Sequence, residues 1–93
     1  MTDAHQSIQR REKIKLIIRD SLRRSELTDE QLEAADLIGS LGITSVDALE
    51  ILIGVEAEFD LHIPDEDLDR KLIDSLDSLD SYVQSAQAAN QAT

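Results

Sequence analysis

The 93-residue chain carries twenty acidic against nine basic side chains, a net charge of −11, with 41% hydrophobic and only 2% aromatic residues. That length supports one small domain, and a lone Phe59 and Tyr82 leave its core aliphatic. Nucleic acids and anionic membranes both select Lys and Arg, so the acid excess disfavours either as a main partner, and the absence of cysteine excludes disulfides, thiolate-bound zinc and a thiol nucleophile.

At the N-terminus, Arg10, Arg11, Glu12 and Lys13 precede Ile14, so no uninterrupted apolar run is available for a signal peptide or membrane span. A cytoplasmic protein is the resulting expectation. Ile14, Ile17, Ile18 and Leu22 recur at helical spacing and predict a first helix over about residues 6–24. A long connection follows, from Ser25 to Ile43. Thr28 and Gln31 form a capping-box pattern within it, predicting a short helical turn through Leu32 and Ala35, and Gly39 and Gly42 are read as loosening the chain.

A second helix is predicted to start at Thr44 or Ser45, with Asp47 completing its cap, and to end at Phe59 before Asp60 and Pro64. Leu52, Val55 and Phe59 make a stripe suited to the core. Val46, Leu49 and Ile53 make another, and Asp47, Glu50, Gly54 and Glu58 a polar one. Apolar residues on more than one side imply a surface left for a partner or ligand. Pro64 can open a short helix over residues 65–72. Asp74 or Ser75 caps a last helix carrying Leu76, Leu79 and Val83, and the Gln- and Ala-rich tail is expected to fray. The pattern predicts an all-α four-helix bundle of three longer helices and one short, with a long first loop. Residues 1–85 form the domain and 86–93 a disordered tail.

Charge is divided sharply along the chain. Through Arg24 there are seven basic and three acidic residues, a balance of +4; from Ser25 onward two basic face seventeen acidic, a balance of −15. No Lys or Arg lies between Arg24 and Arg70. Partners docking on that section should be basic and steered electrostatically. The acids do not make a calcium loop: Asp65, Asp67 and Asp69 have the spacing, but Arg70 stands where Gly is needed and Leu76 where a bidentate Glu is needed. His5 and His62 lack the neighbours of a zinc site. A set of Ser45, His62 and an acid has no supporting spacing for hydrolysis.

The informative stretch runs Leu41-Gly42-Ile43-Thr44-Ser45-Val46-Asp47-Ala48-Leu49-Glu50, continues through Glu56-Ala57-Glu58-Phe59-Asp60, and closes on Ile63-Pro64-Asp65-Glu66-Asp67. In order and spacing it resembles the acyl carrier protein family over about residues 8–85. The resemblance implies that Ser45 is the attachment site for 4′-phosphopantetheine, transferred from coenzyme A by a phosphopantetheinyl transferase, and that the arm carries acyl groups as thioesters for fatty-acid, polyketide or related biosynthesis. It implies a non-catalytic monomer whose Thr44, Val46, Asp47, Leu49, Glu50, Ile53 and Glu56 dock on basic patches of acyl-transfer and synthase enzymes. The borrowed thiol would account for the missing cysteine, and a serine in the first turn of a helix suits a phosphodiester.

Asp74-Ser75-Leu76 and Asp77-Ser78-Leu79 imitate the attachment tripeptide but sit where the last helix is capped and packed. Thr44 departs from the family's usual Asp. Gly54, placed by the pattern on the outer face of the second helix, departs from Ala or larger. Both point to a specialised member. The reading from another class is an unmodified acidic helical adaptor for a basic protein.

Overall fold

A computed structural model describes residues 2–68 and 70–92, with side chains for 8–68 and 71–89. Among the described residues there is no strand. Five α-helices run α1 (Thr2–Leu22), α2 (Asp29–Glu33), α3 (Leu37–Leu41), α4 (Ser45–Phe59) and α5 (Leu76–Ala92), with two 3₁₀ turns, Asp65–Asp67 and Arg70–Ile73, before α5. The three long helices form the expected bundle. The periodic positions place Ile14 and Ile18 of α1, Ala48, Ile51, Leu52 and Val55 of α4, and Leu76, Leu79 and Val83 of α5 in one core, closed by Leu27, Leu32, Leu37, Leu41 and Ile43 from the first connection. Each large aliphatic side chain so buried contributes about 1.5–3 kcal/mol.

The first connection is more ordered than its glycines imply. α2 forms as predicted: Thr28 Oγ1 accepts from the Gln31 N–H at 3.1 Å, and Gln31 Oε1 accepts from the Thr28 N–H at 2.8 Å. α3 was not anticipated. Asp36 caps it by accepting from the Gly39 N–H at 3.2 Å, and a side chain on Gly39 would collide with that carboxylate. Gly42, at φ 67°, ends the helix in the left-handed conformation, and the next N–H, of Ile43, reaches back to the Ile38 carbonyl at 3.0 Å. Both glycines therefore tighten the connection.

The same left-handed stop ends α1 and α4. At Arg23 (φ 56°) the Arg24 N–H donates to the Arg19 carbonyl at 2.9 Å, and at Asp60 (φ 51°) the Leu61 N–H donates to that of Glu56 at 3.1 Å. The short helix expected over 65–72 is instead the two 3₁₀ turns. Three consecutive acids, Asp65 to Asp67, repel one another, and Asp is a weak helix former. Tyr82 holds this region to α5 by donating its hydroxyl to Asp67 at 3.0 Å; burial first, then that bond, raises the phenol's pKa. Past residue 85, where a frayed tail was expected, α5 continues to Ala92. Ala86 packs against the core, and the Ala and Gln content favours helix.

Two of the five cations of α1, Arg10 and Lys15, are buried. Arg10 and Asp80 are both more than nine-tenths buried, and their bidentate pair, 2.6 and 3.3 Å, ties α1 to α5. Lys15, also buried, meets Glu33 of α2, with Glu12 at 3.0 Å and Asp29 at 3.7 Å. Burial pulls its ammonium pKa down, but hydrogen bonds to Glu33 and Glu12 outweigh burial and leave it raised. A raised folded-state value means that this contribution is complete below lysine's ordinary pKa and is lost only as pH rises through the folded one. Replacing Arg10 by Leu leaves the buried Asp80 carboxylate with Arg11 Nη1, 3.7 Å away, in place of its bidentate partner and should cost about 3 kcal/mol in urea unfolding at neutral pH, while adding Asp80→Leu should recover most of the loss. Equal stability of the single and double variants would show that the pair does not hold the helices together.

Candidate functional site

Ser45 is the first residue of α4. Thr44 immediately before it is the N-cap: its Oγ1 accepts from the Asp47 N–H at 3.1 Å, and Asp47 Oδ2 accepts in return from the Thr44 N–H at 3.2 Å. The Thr44 carbonyl accepts from the Ala48 N–H at 2.9 Å. A thermal wobble of the first turn is thus suppressed, and the N–H groups of Ser45 and Val46 are left without helical acceptors, beside the positive end of the helix dipole. Ser45 is solvent exposed, and its hydroxyl makes no hydrogen bond among the described residues. A free hydroxyl beside unsatisfied N–H groups favours a negatively charged substituent.

Down one side of α4 from this serine stand Val46, Leu49 and Ile53, respectively 66%, 48% and 53% exposed, while Ile51, Leu52 and Val55 on the opposite side are fully covered. The apolar stripe spans about 10 Å of helix, from the rise per residue. Glu50 is exposed beside it. The structure thus assembles Thr44, Ser45, Val46, Asp47, Leu49, Glu50 and Ile53 on one end and one flank of α4. Asp47 contributes its charge there although its carboxylate serves the cap. Glu56, one turn beyond Ile53 on that flank, is 26% exposed, and its Oε2 accepts from the Ile63 N–H at 2.7 Å, closing the loop after α4.

The other candidate residues are dispersed. His62 is exposed in the loop past the far end of α4, with Nδ1 3.4 Å from Glu56, so the helix length alone keeps it about 20 Å from Ser45 and no triad forms. Ser75 accepts from the Ser78 N–H at 3.1 Å as the cap of α5, and the two hydroxyls bond to each other at 3.1 Å, which gives both imitation serines a structural role. The His5 side chain and Asp69 lie outside the described residues. Among the described ones, no three of His, Asp and Glu are placed to hold a metal ion.

Gly54 is not on the outer face. Its missing side chain admits α1: a Cβ there would lie 2.8 Å from Ile17 Cγ2, a branch fixed close to the backbone. Two contacts that the sequence pattern missed hold the chain leading to Ser45. Arg19 Nε donates to the Leu27 carbonyl at 2.8 Å, and Arg24 Nη1 to that of Leu41 at 3.1 Å. Their acceptors are backbone atoms of a folded loop, which no side-chain spacing in the sequence marks.

The chain was compared with known proteins. It is 38% identical over 58 residues to the mitochondrial acyl carrier protein of Neurospora crassa, an alignment covering 62% of this chain and 42% of the relative. The resemblance to acyl carrier proteins holds. The chain spans less than half the length of that curated relative. No family model matches, and no solved structure matches. The carrier relative also corrects the cytoplasmic expectation, since it is a mitochondrial protein. That expectation rested on the lack of an apolar leader, which bears on secretion; mitochondrial targeting uses basic amphipathic segments instead. Among the described residues no helix is long and apolar enough to cross a membrane.

The Gly54 contact predicts a change of sign. Gly54→Ala should lower the thermal midpoint although alanine is favoured in helices by about 1 kcal/mol, and in an Ile17→Ala background the same substitution should raise it. Stabilisation in both backgrounds would mean that α1 does not need glycine at this position.

Proposed function

We propose that the chain is an acyl carrier that receives 4′-phosphopantetheine on Ser45 and is handed between enzymes of a fatty-acid, polyketide or related thioester pathway. The observation that carries this reading is the unengaged, exposed serine hydroxyl at the capped N-terminus of α4, adjoining an exposed apolar stripe with an acid beside it.

The residues present fit the group. Ser45 Oγ offers the ester oxygen, the free N–H groups of the first turn favour the phosphate's charge, and Thr44 spends its hydroxyl on the cap rather than competing for the site. When bound, the group supplies the thiol that this cysteine-free chain lacks, and acyl cargo is held there as a thioester. The chain itself performs no bond chemistry: it fixes the serine and presents a docking flank. Thr44, Val46, Asp47, Leu49, Glu50 and Ile53 meet a phosphopantetheinyl transferase and the acyl-transfer and synthase enzymes, whose patches are basic around an apolar centre. Charge speeds the encounter, and the three aliphatic side chains anchor it briefly.

Incubation with coenzyme A, Mg²⁺ and a broad-specificity transferase should add one phosphopantetheine mass to the chain and none to Ser45→Ala. A gain that survives Ser45→Ala would move the site elsewhere; none on the unaltered chain would leave the acidic adaptor. Glu50→Lys should slow the modification at low salt by about tenfold, the equivalent of one lost charge-steering contact, with the helical circular dichroism unchanged. Equal rates at low salt would remove Glu50 from the docking flank.

A further inference from the structure

Resting on the reading of Ser45 as the modified residue, we propose that Arg24 is a positioning residue for that modification, a latch that holds the segment from α3 to Ser45 in place. α3 has five residues, too few for a helix to persist unaided, so its direction depends on what grips its two ends. At its start the Leu37 N–H donates to the carbonyl of Asp74, in the loop before α5, at 2.8 Å. At its end the Leu41 carbonyl, which has no partner within α3, accepts from Arg24 Nη1 at 3.1 Å.

Three residues separate Leu41 from Ser45, and the first of them is the left-handed Gly42. A Cβ there would meet no other part of the fold within 4 Å, so the positive φ rather than crowding is what calls for glycine. The restraints beyond it are the burial of Ile43, its N–H bond to Ile38, itself within α3, and the Thr44–Asp47 capping box, so α3 holds one side of the approach to the serine and α4 the other. Arg24 suits this work. The left-handed stop at Arg23 and the bond from the Arg24 N–H to the Arg19 carbonyl fix its backbone to the end of α1. Its Nε, 3.3 Å from Glu26, restrains the guanidinium further. A cation on a helix C-terminal carbonyl also opposes the negative end of that helix's dipole. The modification demands that Ser45 Oγ be presented to an enzyme's reacting centre, where misplacement by about 1 Å can cost on the order of a hundredfold.

The test follows transferase kinetics and amide exchange on the full chain. Arg24→Leu should lower kcat/KM for phosphopantetheine addition by about tenfold and speed exchange of the Ile43 N–H, while exchange at Leu52 and Val55 in mid-α4 stays as in the parent. Arg24→Lys, which keeps a donor, should recover part of both effects; Glu26→Gln, which leaves the donor to Leu41 intact, should change the rate less than twofold. Exchange is read without any transferase, so a parent chain that takes no phosphopantetheine would defeat the proposed function while leaving the latch measurable. Parent-like Ile43 exchange in Arg24→Leu would overturn the latch. Faster exchange with an unchanged rate would overturn its role in positioning the serine, and loss of protection at Leu52 and Val55 as well would reduce Arg24 to a general support of the fold.

Discussion

The fold depends on how α1 pairs its cations with acids of the other helices. From Ser25 onward the sequence carries seventeen acids against two bases, a balance that would drive an isolated helical segment apart. α1 answers it with cations aimed across the bundle: Arg10 and Arg11 at Asp80 and Asp77 of α5, Lys13 at Glu58 of α4, Lys15 and Arg19 at Glu33 and Asp29 of α2. Most of these pairs have an exposed partner and are individually worth little, so the buried Arg10–Asp80 pair dominates, and its value lies in fixing which helices face each other. A basic helix on an acidic protein looks like a second binding surface when charges are counted. Here its side chains are largely spent on the protein itself.

That allocation decides what remains outside. The cations do not reach the first turn of α4 or its outer flank, and no base lies within α4 itself, so the acids there keep their field. The two arginines at the end of α1 serve the backbone as well, each donating to a carbonyl of the first connection. Together with the left-handed stops after α1, α3 and α4 they turn a long connection into a chain of short, anchored pieces. Entropy lost in ordering such a loop is considerable, and it is recovered by burying Leu27, Leu32, Leu37, Leu41 and Ile43.

How much of this was legible in the sequence follows from the range of each interaction. Caps and periodicity act within four residues, so the Thr28 and Thr44 capping boxes, the end of α4 at Asp60, and the division of α4 into covered and exposed stripes were read correctly from spacing alone. The proposal for Ser45 rests on a motif whose parts are likewise local. The errors occur where a distant partner decides. Gly54 reads as an outward-facing departure until Ile17 is seen against it, and Gly39 and Gly42 read as slack when Asp36 and Ile38 make them caps. The break of the 65–72 segment into 3₁₀ turns was within reach, since Asp65, Glu66 and Asp67 adjoin. The Gln- and Ala-rich segment past residue 85 reads as a fraying terminus, whereas the packing of Ala86 carries α5 on through it.

An aliphatic stripe in water normally invites self-association, and Val46, Leu49 and Ile53 form one on a small protein with few aromatic residues to hide it. The surrounding charge makes that stripe selective. Two copies approaching through α4 bring Asp47 and Glu50 toward like charges, a repulsion without a local base to relieve it, whereas a basic surface meets attraction at the same distance. Three side chains bury too little area for a long-lived complex, so a partner drawn in by charge also departs quickly. A flank built this way favours repeated short encounters with several basic partners over one stable association, and it does so at the end of the molecule where the serine is fixed.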